Sequence, residues 1–305
     1  MKKVLVTGGC GFIGTELCNQ LTGNYEVTVA DDLSKPGSSV KEGYEFHKID
    51  LTDKKQTDKL FKEGKFDICL NLAARVGGVG YLDKHPAKIL SENNQIYSST
   101  FEAAAKYGLE RMVFISSSMV LEESSGKENS IYGLSKFIGE KYCNAFKKEH
   151  NLDFSICRPF NIYGKNDLPG KEVGYSHVIP DLVKKSLEAQ ETINILGDGK
   201  QTRCFTYLPD LVNGVIKVME SEKAICEDFN ISVKEETKII DLAEKVWYLC
   251  RPNEKFKPIY EEGFKSDSKT RIPEVSKMEN LLGWFPKTNL KEGLKETVNW
   301  IIPRI

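Results

Sequence analysis

Residues 2–21 read KKVLVTGGCGFIGTELCNQL, an apolar run rich in valine, then glycines, then an amphipathic run. The first run predicts a β-strand and the last an α-helix. Gly8, Gly11 and Gly14 lie at the spacing GxxGxxG in the turn between them. Glycines there let the main chain approach a pyrophosphate, and the start of the helix offers unpaired amide groups. The stretch predicts the first βα unit of a dinucleotide-binding fold; the plainer alternative is a tight strand-to-helix turn.

The second predicted strand, EVTVADD, ends in Asp31 and Asp32. Asp31 follows Gly14 by 17 residues, where a carboxylate accepts hydrogen bonds from an adenosine ribose diol. A carboxylate also repels the 2′-phosphate of NADP, and no arginine occurs between Gly14 and Arg75, so we expect NAD. Asp50, at the end of the next short strand, would then lie near the adenine. The alternative is that the two aspartates only end a strand and solvate a turn.

Strand-like and helical runs alternate from the N-terminus to Gly164, as in GFIGTELCNQL, YEVTVADDL, KQTDKLFKEG and FDICLNLAA. This rhythm predicts an α/β fold with a mainly parallel, doubly wound Rossmann-type sheet. Turn-forming residues dominate KNDLPGKEVGY after Gly164, and short strands then mix with helices, which predicts a second, smaller C-terminal substrate lobe. We assign residues 1–165 and 202–224 to the NAD-binding domain, and residues 166–201 and 225–305 to the substrate domain.

Composition narrows the classes of partner. The chain of 305 residues has 43 basic and 44 acidic residues and a formal net charge of -1, without a basic stripe, so we expect no nucleic-acid partner. No apolar run approaches the ~18 residues of a membrane span, so we expect a cytoplasmic protein with no membrane partner. The eight cysteines form no CxxC pair and the four histidines no cluster, which favours reduced core thiols and no metal site.

A serine run, SSS at residues 116–118, precedes YGLSK at residues 132–136. Tyr132 and Lys136 are four residues apart and share one face of the predicted helix. A free phenol, with a pKa near ~10, is a poor base at neutral pH, but a neighbouring ammonium group stabilises its phenolate. The pair therefore indicates acid–base chemistry, although the same spacing also occurs in helices by chance.

Together these motifs resemble the extended short-chain dehydrogenases that act on nucleotide sugars. The resemblance rests on TGGCGFIG, NLAA, SSS, YGLSK and RPFNIYG, and continues through HVIP, GDGKQTRCFTYLPD and LLGWFPKTNLKEGLKETVNW in the C-terminal half. It implies that Tyr132 is the general base toward a sugar hydroxyl, and that Lys136 supports it and holds the nicotinamide ribose. A serine hydroxyl completes the set: counting back from Val120 favours Ser117, whereas matching the serine run favours Ser118.

The same resemblance implies two sets of binding residues. NAD contacts would come from Gly8, Gly11, Phe12, Ile13, Gly14, Asp31, Asp32, Asp50, Leu51, Leu72, Ala73, Ala74, Asn93, Tyr132, Lys136 and Pro159. Nucleotide-sugar contacts would come from Arg75, Gly77, Gly78, Asn161, His177, Val178, Arg203 and Arg271. Arg203 and Arg271 are the candidates for the diphosphate, because guanidinium groups bind phosphate oxygens in pairs. Asn93 is the candidate that orients Lys136 through water.

Two features bear on the reaction. Dehydratases of this family have acidic residues just after the catalytic hydroxyl, whereas Met119 and Val120 stand there in this chain. We therefore expect no dehydration unless Glu122 or Glu123 reaches inward. The segment RVGGVGY, residues 75–81, is similar to one in GDP-fucose synthases and GDP-mannose 3,5-epimerases. Its glycines would let a sugar approach closely; a mobile surface loop is the alternative.

The leading hypothesis is an NAD-dependent epimerase that inverts C4 of a nucleotide-diphosphate sugar through a transient 4-keto sugar. The alternatives are a GDP-sugar 3,5-epimerase, a 4-keto-reductase, and a non-catalytic nucleotide- or RNA-associated binding protein on the same fold. We also expect a homodimer, because the helices predicted from ILSENNQIYSSTFEAAAKY and YGLSKFIGEKYCNAF resemble those that form a four-helix dimer contact in this family.

Overall fold

The computed structural model describes residues 1–35, 38–123, 130–170, 174–263, 270 and 272–305. Its strands are β1 (Lys3–Thr7), β2 (Glu26–Asp31), β3 (Glu45–Lys48), β4 (Ile68–Asn71), β5 (Arg111–Ile115), β6 (Asp153–Pro159), β7 (Ile162–Tyr163), β8 (Ile193–Leu196), β9 (Thr202–Arg203), β10 (Thr206–Tyr207), β11 (Glu227–Ile231), β12 (Thr237–Lys238) and β13 (Pro258–Glu261). Its helices are α1 (Phe12–Leu21), α2 (Lys54–Gly64), α3 (Val79–Lys84), α4 (Pro86–Lys106), α5 (Val120–Glu123), α6 (Ile131–His150), α7 (Val178–Glu188), α8 (Leu208–Glu220), α9 (Ile239–Cys250), α10 (Ser276–Leu282) and α11 (Leu290–Ile301).

A seven-stranded sheet forms the larger lobe, with its strands in the order β3-β2-β1-β4-β5-β6-β11. Every neighbouring pair is parallel. The first six strands have the order of the doubly wound dinucleotide-binding fold, so the predicted fold class is confirmed.

Helices cover both faces of this sheet. One core joins the sheet to α1, α8 and α10 and includes Leu17, Val212 and Met278. The other joins it to α2, α4 and α6 and includes Phe61 and Tyr97. Strands buried on both faces read as continuous apolar runs, which is why ICLN and RMVFI lack the alternation of a half-exposed strand. None of the described helices is long and apolar enough to cross a lipid bilayer.

Helix α6 is fixed at both ends. The Ser130 side chain accepts a hydrogen bond from the Gly133 amide over 3.3 Å and caps the N-terminus. Asn151, with a φ of 55°, ends the helix in the left-handed conformation that such positions favour. In the middle, a Cβ on Gly139 would lie 2.2 Å from the Phe114 ring, so glycine allows α6 to sit close to β5. This contact sets how deeply α6 is seated beside the sheet.

The smaller lobe packs α7, α9 and α11 around a separate core in which Trp247 is completely buried. β8 and β13 form a parallel pair within it. The domain division predicted from the sequence needs one correction, because β11 pairs with β6 and extends the central sheet although residues 225–305 are assigned to the substrate domain. A strand of five residues does not reveal in its sequence which sheet it will join. The rest of the division stays a proposal.

Candidate active site

A cleft of about 610 Å3 lies at the C-terminal ends of the central strands. Doubly wound sheets bind their ligands at this position. Its walls come from the turns after β1, β2, β4 and β5, from α6, and from α7 and β8 of the smaller lobe. All site residues predicted from the sequence line it except Asn93 and Arg271, and Arg271 lies outside the described residues.

The glycine turn after β1 leaves its main chain open to the cleft. Gly8 has a φ of 69°, which favours glycine, and its amide donates to the Ala30 oxygen over 2.8 Å. A Cβ on Gly14 would lie 2.4 Å from the Gly8 oxygen, so this glycine lets α1 begin directly against the turn. A Cβ on Gly11 would meet only the Gly8 oxygen, at 3.2 Å. The turn and the first amides of α1 therefore fit a pyrophosphate.

A buried aspartate borders the same part of the cleft. The Asp31 carboxylate accepts from the amides of Cys10, over 3.0 Å, and Leu33, over 2.8 Å. Burial raises the pKa of Asp31, while these two bonds lower it. Each oxygen keeps a lone pair for a ribose hydroxyl, so the site fits the adenosine half of NAD. We call the region lined by the glycine turn, Asp31, Asp50 and residues 72–74 the cofactor half of the cleft.

Tyr132 and Lys136 line the cleft from α6 and are almost completely buried. Burial lowers the pKa of Lys136 to about 7, against a smaller raising effect of the Glu140 charge. Burial also raises the pKa of the Tyr132 phenol far above its ordinary value. The phenol therefore keeps its proton at neutral pH in the free protein, and it becomes a base only when positive charge comes close to it.

The three serines differ in what they contact. The Ser117 hydroxyl interacts with the Tyr132 phenol and lowers its pKa, and it accepts a hydrogen bond from the Met119 amide over 3.2 Å. Ser118 is buried beside it, and both line the cleft. The Ser116 hydroxyl instead donates to the Glu140 carboxylate over 2.6 Å. The geometry favours Ser117 over Ser118 as the hydroxyl that acts with the tyrosine.

The position after the serines carries no titratable group. Met119 lines the cleft there, and a thioether has no proton to exchange. Val120 is buried. The side chains of Glu122 and Glu123 lie outside the part of the chain that the structure describes.

The glycines of RVGGVGY contact the smaller lobe through the main chain. The Gly78 amide donates to the Tyr175 oxygen over 3.1 Å, and the Gly80 amide donates to the Gly174 oxygen over 3.0 Å. A Cβ on Gly78 would lie 2.3 Å from the oxygens of Gly174 and Ser176. Packing between the lobes therefore requires glycine at this position.

Arg75 and Asn93 belong to one hydrogen-bond network beside the cleft. The Arg75 guanidinium donates to Asp32 over 2.9 Å and pairs with Glu92, so it lies beside the cofactor half. Asn93 is completely buried, donates to the Ser135 hydroxyl over 3.0 Å and accepts from the Arg75 amide over 2.6 Å. It supports the wall of the cleft from behind. Side-chain directions of this kind depend on tertiary neighbours that motif spacing does not reveal.

The part of the cleft near the smaller lobe, which we call the substrate half, carries a histidine–aspartate pair. His177 Nδ1 lies 2.8 Å from a carboxylate oxygen of the buried Asp167. Val178 follows as the first residue of α7, and Asn161 and the buried Arg203 complete this wall. The substrate half therefore combines an imidazole with a guanidinium, both suited to a phosphorylated ligand.

Glu140, Arg158 and Asp167, which support the site from outside the cleft lining, were not predicted from the sequence. Glu140 lies on α6 with Tyr132 and Lys136. Its carboxylate accepts from Arg158 Nε and Nη2, over 2.7 Å in each case. It stands four residues after Lys136, so extending the i, i+4 pattern by one step would have found it. Asp167 lies in a turn-rich segment and has no comparable signal.

The chain is similar to known enzymes along its whole length. Residues 4–232 match the NAD dependent epimerase/dehydratase family. The UDP-N-acetyl-alpha-D-glucosaminuronate decarboxylase of Bacillus cytotoxicus is 30% identical over 98% of this chain and 97% of its own. The GDP-mannose 3,5-epimerase of Arabidopsis thaliana is 29% identical over 99% of this chain and 83% of its own. The structure of UDP-glucose 4-epimerase from Thermotoga maritima, with UDP-glucose, has a TM-score of 0.88 at 28% identity, covering 98% of each chain.

The family match includes the whole glycine turn and the serine, tyrosine and lysine of the cleft. NAD is the cofactor of this family, and the polar groups of the cofactor half fit it. The chain is thus an enzyme of the extended short-chain dehydrogenase type and belongs to the NAD-dependent epimerase/dehydratase family.

Proposed function

We propose that the protein epimerises a nucleotide-diphosphate sugar at C4 through a transient 4-keto sugar. One observation carries the proposal: Ser117, Tyr132 and Lys136 line the same cleft as the glycine turn, and Ser117 lowers the pKa of the Tyr132 phenol. A hydroxyl-directed acid–base group beside a dinucleotide site suits oxidation of a sugar alcohol. Inversion at C4 needs no further acid or base on carbon, which agrees with Met119 beside the serines.

In this mechanism Tyr132 takes the proton from the sugar 4-hydroxyl while Ser117 holds that oxygen by a hydrogen bond. NAD, when bound, supplies the hydride acceptor and a positive ring charge that lowers the pKa of the phenol. Lys136, with a pKa of about 7, gains its proton readily and adds a second positive charge near the tyrosine. After the keto sugar has turned its other face, Tyr132 returns the proton to the same oxygen.

A 3,5-epimerase is the second candidate, and His177 is the observation that favours it. Its imidazole, held by Asp167, lines the cleft and could exchange a proton with a sugar carbon. Inversion at carbon needs a base on one face and an acid on the other, and Met119 cannot supply the second group. A 4-keto-reductase would instead need an outside hydride donor in every turnover.

The substrate carries its nucleotide diphosphate in the substrate half, where Arg203 offers a guanidinium for the phosphate oxygens. UDP-hexoses are the first compounds to test, because the similar Thermotoga maritima enzyme was solved with UDP-glucose. GDP-sugars come next, because the similar plant enzyme is a GDP-mannose 3,5-epimerase.

Proton NMR in D2O tests the proposal, using UDP-, GDP-, CDP- and dTDP-hexoses without added cofactor. A C4 epimer that contains no deuterium is the expected product. Deuterium at C3 or C5 would contradict C4 inversion and favour the 3,5-epimerase. Product that forms only with added NADPH would favour the reductase.

We further propose that the enzyme is a cytoplasmic homodimer. α4 and α6 pack side by side, and Leu134, Phe137 and Ile138 of α6 are only partly buried in the single chain. Such a pair of helices suits a two-fold contact with a second copy. All the cysteines are unpaired, which agrees with a reducing compartment. Sedimentation at the mass of a single chain would contradict the dimer.

A further inference from the structure

We propose that Arg75 is a clamp that closes the cofactor half of the cleft and retains NAD during turnover. The inference goes beyond the proposed reaction, because it depends on the cofactor of the family and not on which sugar is epimerised. It also replaces the role in substrate binding that the sequence predicts for Arg75.

On one side the guanidinium contacts the loop after β2. Its Nη2 donates to an Asp32 oxygen over 2.9 Å, and its Nη1 donates to the Ser34 hydroxyl. The other Asp32 oxygen accepts from the Ser34 amide over 2.9 Å, which holds the carboxylate in place. All three residues line the cleft. The bridge therefore joins two loops that line the cofactor half.

On the other side Arg75 is anchored to α4. Its Nε pairs with Glu92. Its amide donates to Asn93 Oδ1 over 2.6 Å, and its carbonyl oxygen accepts from Asn93 Nδ2 over 3.3 Å. Asn93 also donates to the hydroxyl of Ser135, the residue before Lys136. The main chain of Arg75 is thus held by the buried Asn93 side chain, which is also hydrogen bonded to α6.

The charges around the guanidinium suit a bridge better than a phosphate site. The side chains of Arg75, Asp32 and Glu92 are 25%, 30% and 25% exposed, so the network is half-buried and screened less than a surface ion pair. Asp32 and Glu92 both engage the guanidinium, and Lys88 pairs with Glu92 over 3.7 Å, so the cluster has no net charge to attract a phosphate.

The kinetic consequence follows from where the bridge lies. The loops after β2 and β4 both border the cofactor half, so a bridge between them narrows the opening through which a dinucleotide passes. The bridge forms in the protein by itself, and it must open for entry as well as for exit. It should therefore slow association and dissociation together and change the affinity little. Retention matters to an epimerase, because a cofactor lost between the two half-reactions leaves the sugar oxidised.

Stopped-flow measurement of NADH fluorescence tests the clamp. Association is followed on mixing, and dissociation by displacing bound NADH with excess NAD. In Arg75→Met both rates should rise about tenfold, the effect expected when charged hydrogen bonds no longer have to open. The dissociation constant should change by less than about threefold. Glu92→Gln, which keeps the arginine but weakens its anchor, should shift both rates in the same direction.

Lys106→Met is the matched control, because Lys106, on the last turn of α4, forms an ion pair of 2.6 Å with Asp58 of α2, and neither residue lines the cleft. Its rates should equal those of the wild type. Unchanged rates in both Arg75→Met and Glu92→Gln would overturn the clamp. Faster dissociation with unchanged association would also overturn it, because that pattern belongs to direct contact with the cofactor.

The experiments can contradict the clamp and the proposed reaction independently of each other. Faster NADH exchange in Arg75→Met, in a protein that converts no nucleotide sugar, would support the clamp and contradict C4 epimerisation. Failure of the wild type to bind NADH would overturn both.

Discussion

The Nζ atom of Lys136 lies 5.9 Å from the centre of the Tyr132 ring and donates a hydrogen bond of 2.8 Å to the main-chain oxygen of Ile115. Burial lowers the pKa of the lysine to about 7 and raises that of the tyrosine. The free site therefore contains a protonated phenol beside an amine close to its titration point. The charges that make Tyr132 a base arise when ligands fill the cleft.

Tyr132→Phe should abolish turnover and leave NADH binding intact. The change removes the hydroxyl that takes the sugar proton but keeps the ring that packs beside Lys136, and loss of a general base lowers turnover by about 10²–10⁴-fold. The D2O assay measures turnover, and a fluorescence titration measures NADH binding. Tyr107→Phe is the control, because the Tyr107 hydroxyl bonds Asp58 away from the cleft. Normal turnover in Tyr132→Phe would remove this residue from its proposed role.

Ser117→Ala should reduce turnover far more than Ser118→Ala. Of the two serines, only Ser117 lowers the pKa of the Tyr132 phenol, so its loss should lower kcat by about 10²-fold, as expected for one positioned catalytic hydroxyl. Ser118→Ala removes a neighbouring buried hydroxyl and should change kcat less than about tenfold. The two variants are compared in the same NMR assay. The opposite ranking would assign the catalytic hydroxyl to Ser118.

The spacing of residues in the sequence was enough to predict the glycine turn and the tyrosine–lysine pair of the site. Gly8 and Gly11 lie in the turn between β1 and α1, Gly14 lies in the first turn of α1, and Tyr132 and Lys136 face the same cleft one helical turn apart. Each of these arrangements depends on residues close in sequence, so no knowledge of the tertiary structure is needed to expect it.

Features that depend on distant segments could not be predicted in this way. Gly78 gives no sign in the sequence that the main chain of Gly174 will lie against it. Nothing near Arg75 indicates that its side chain will reach Asp32, 43 residues earlier. β11 likewise joins the central sheet through a parallel pairing with β6. In each case the outcome is set by packing between elements.

Gly78→Ala should destabilise the protein more than Gly77→Ala. A Cβ at position 78 would lie 2.3 Å from two main-chain oxygens, whereas one at position 77 would lie 2.7 Å from the Tyr81 ring, which can turn away. Gly78→Ala should therefore lower the free energy of unfolding by about 1–3 kcal/mol. It should also raise KM for the sugar, because residues 174 and 176 line the cleft. Urea denaturation and the NMR assay measure the two effects, and equal stability losses in both variants would contradict this reading.

Lys136 should make the stability of the cofactor-free protein rise with pH above 7. Its pKa is about 7 in the folded protein and 10.5 as an ordinary lysine. Between these values the unfolded chain holds a proton that the folded chain has released, so raising the pH favours folding. Lys136→Met lacks this effect, and the wild type should gain about 2 kcal/mol relative to it between pH ~7 and ~9. Urea denaturation at both pH values checks this, and equal pH slopes would refute it.

The charge of Glu140 should set the pH at which the free energy of unfolding of the cofactor-free protein begins to rise. Its carboxylate accepts from the Ser116 hydroxyl over 2.6 Å and from Arg158 Nε over 2.7 Å, and its charge raises the pKa of Lys136. Glu140→Gln keeps an acceptor but removes the charge, so the pKa of Lys136 should fall and the rise in stability should begin below pH 7. Removing one partner of a buried ion pair should also cost roughly 3 kcal/mol at every pH. Glu102→Gln, which removes an exposed carboxylate paired with Lys54, should change neither quantity. A loss of stability in Glu140→Gln without any shift in pH dependence would leave Glu140 with a structural role only.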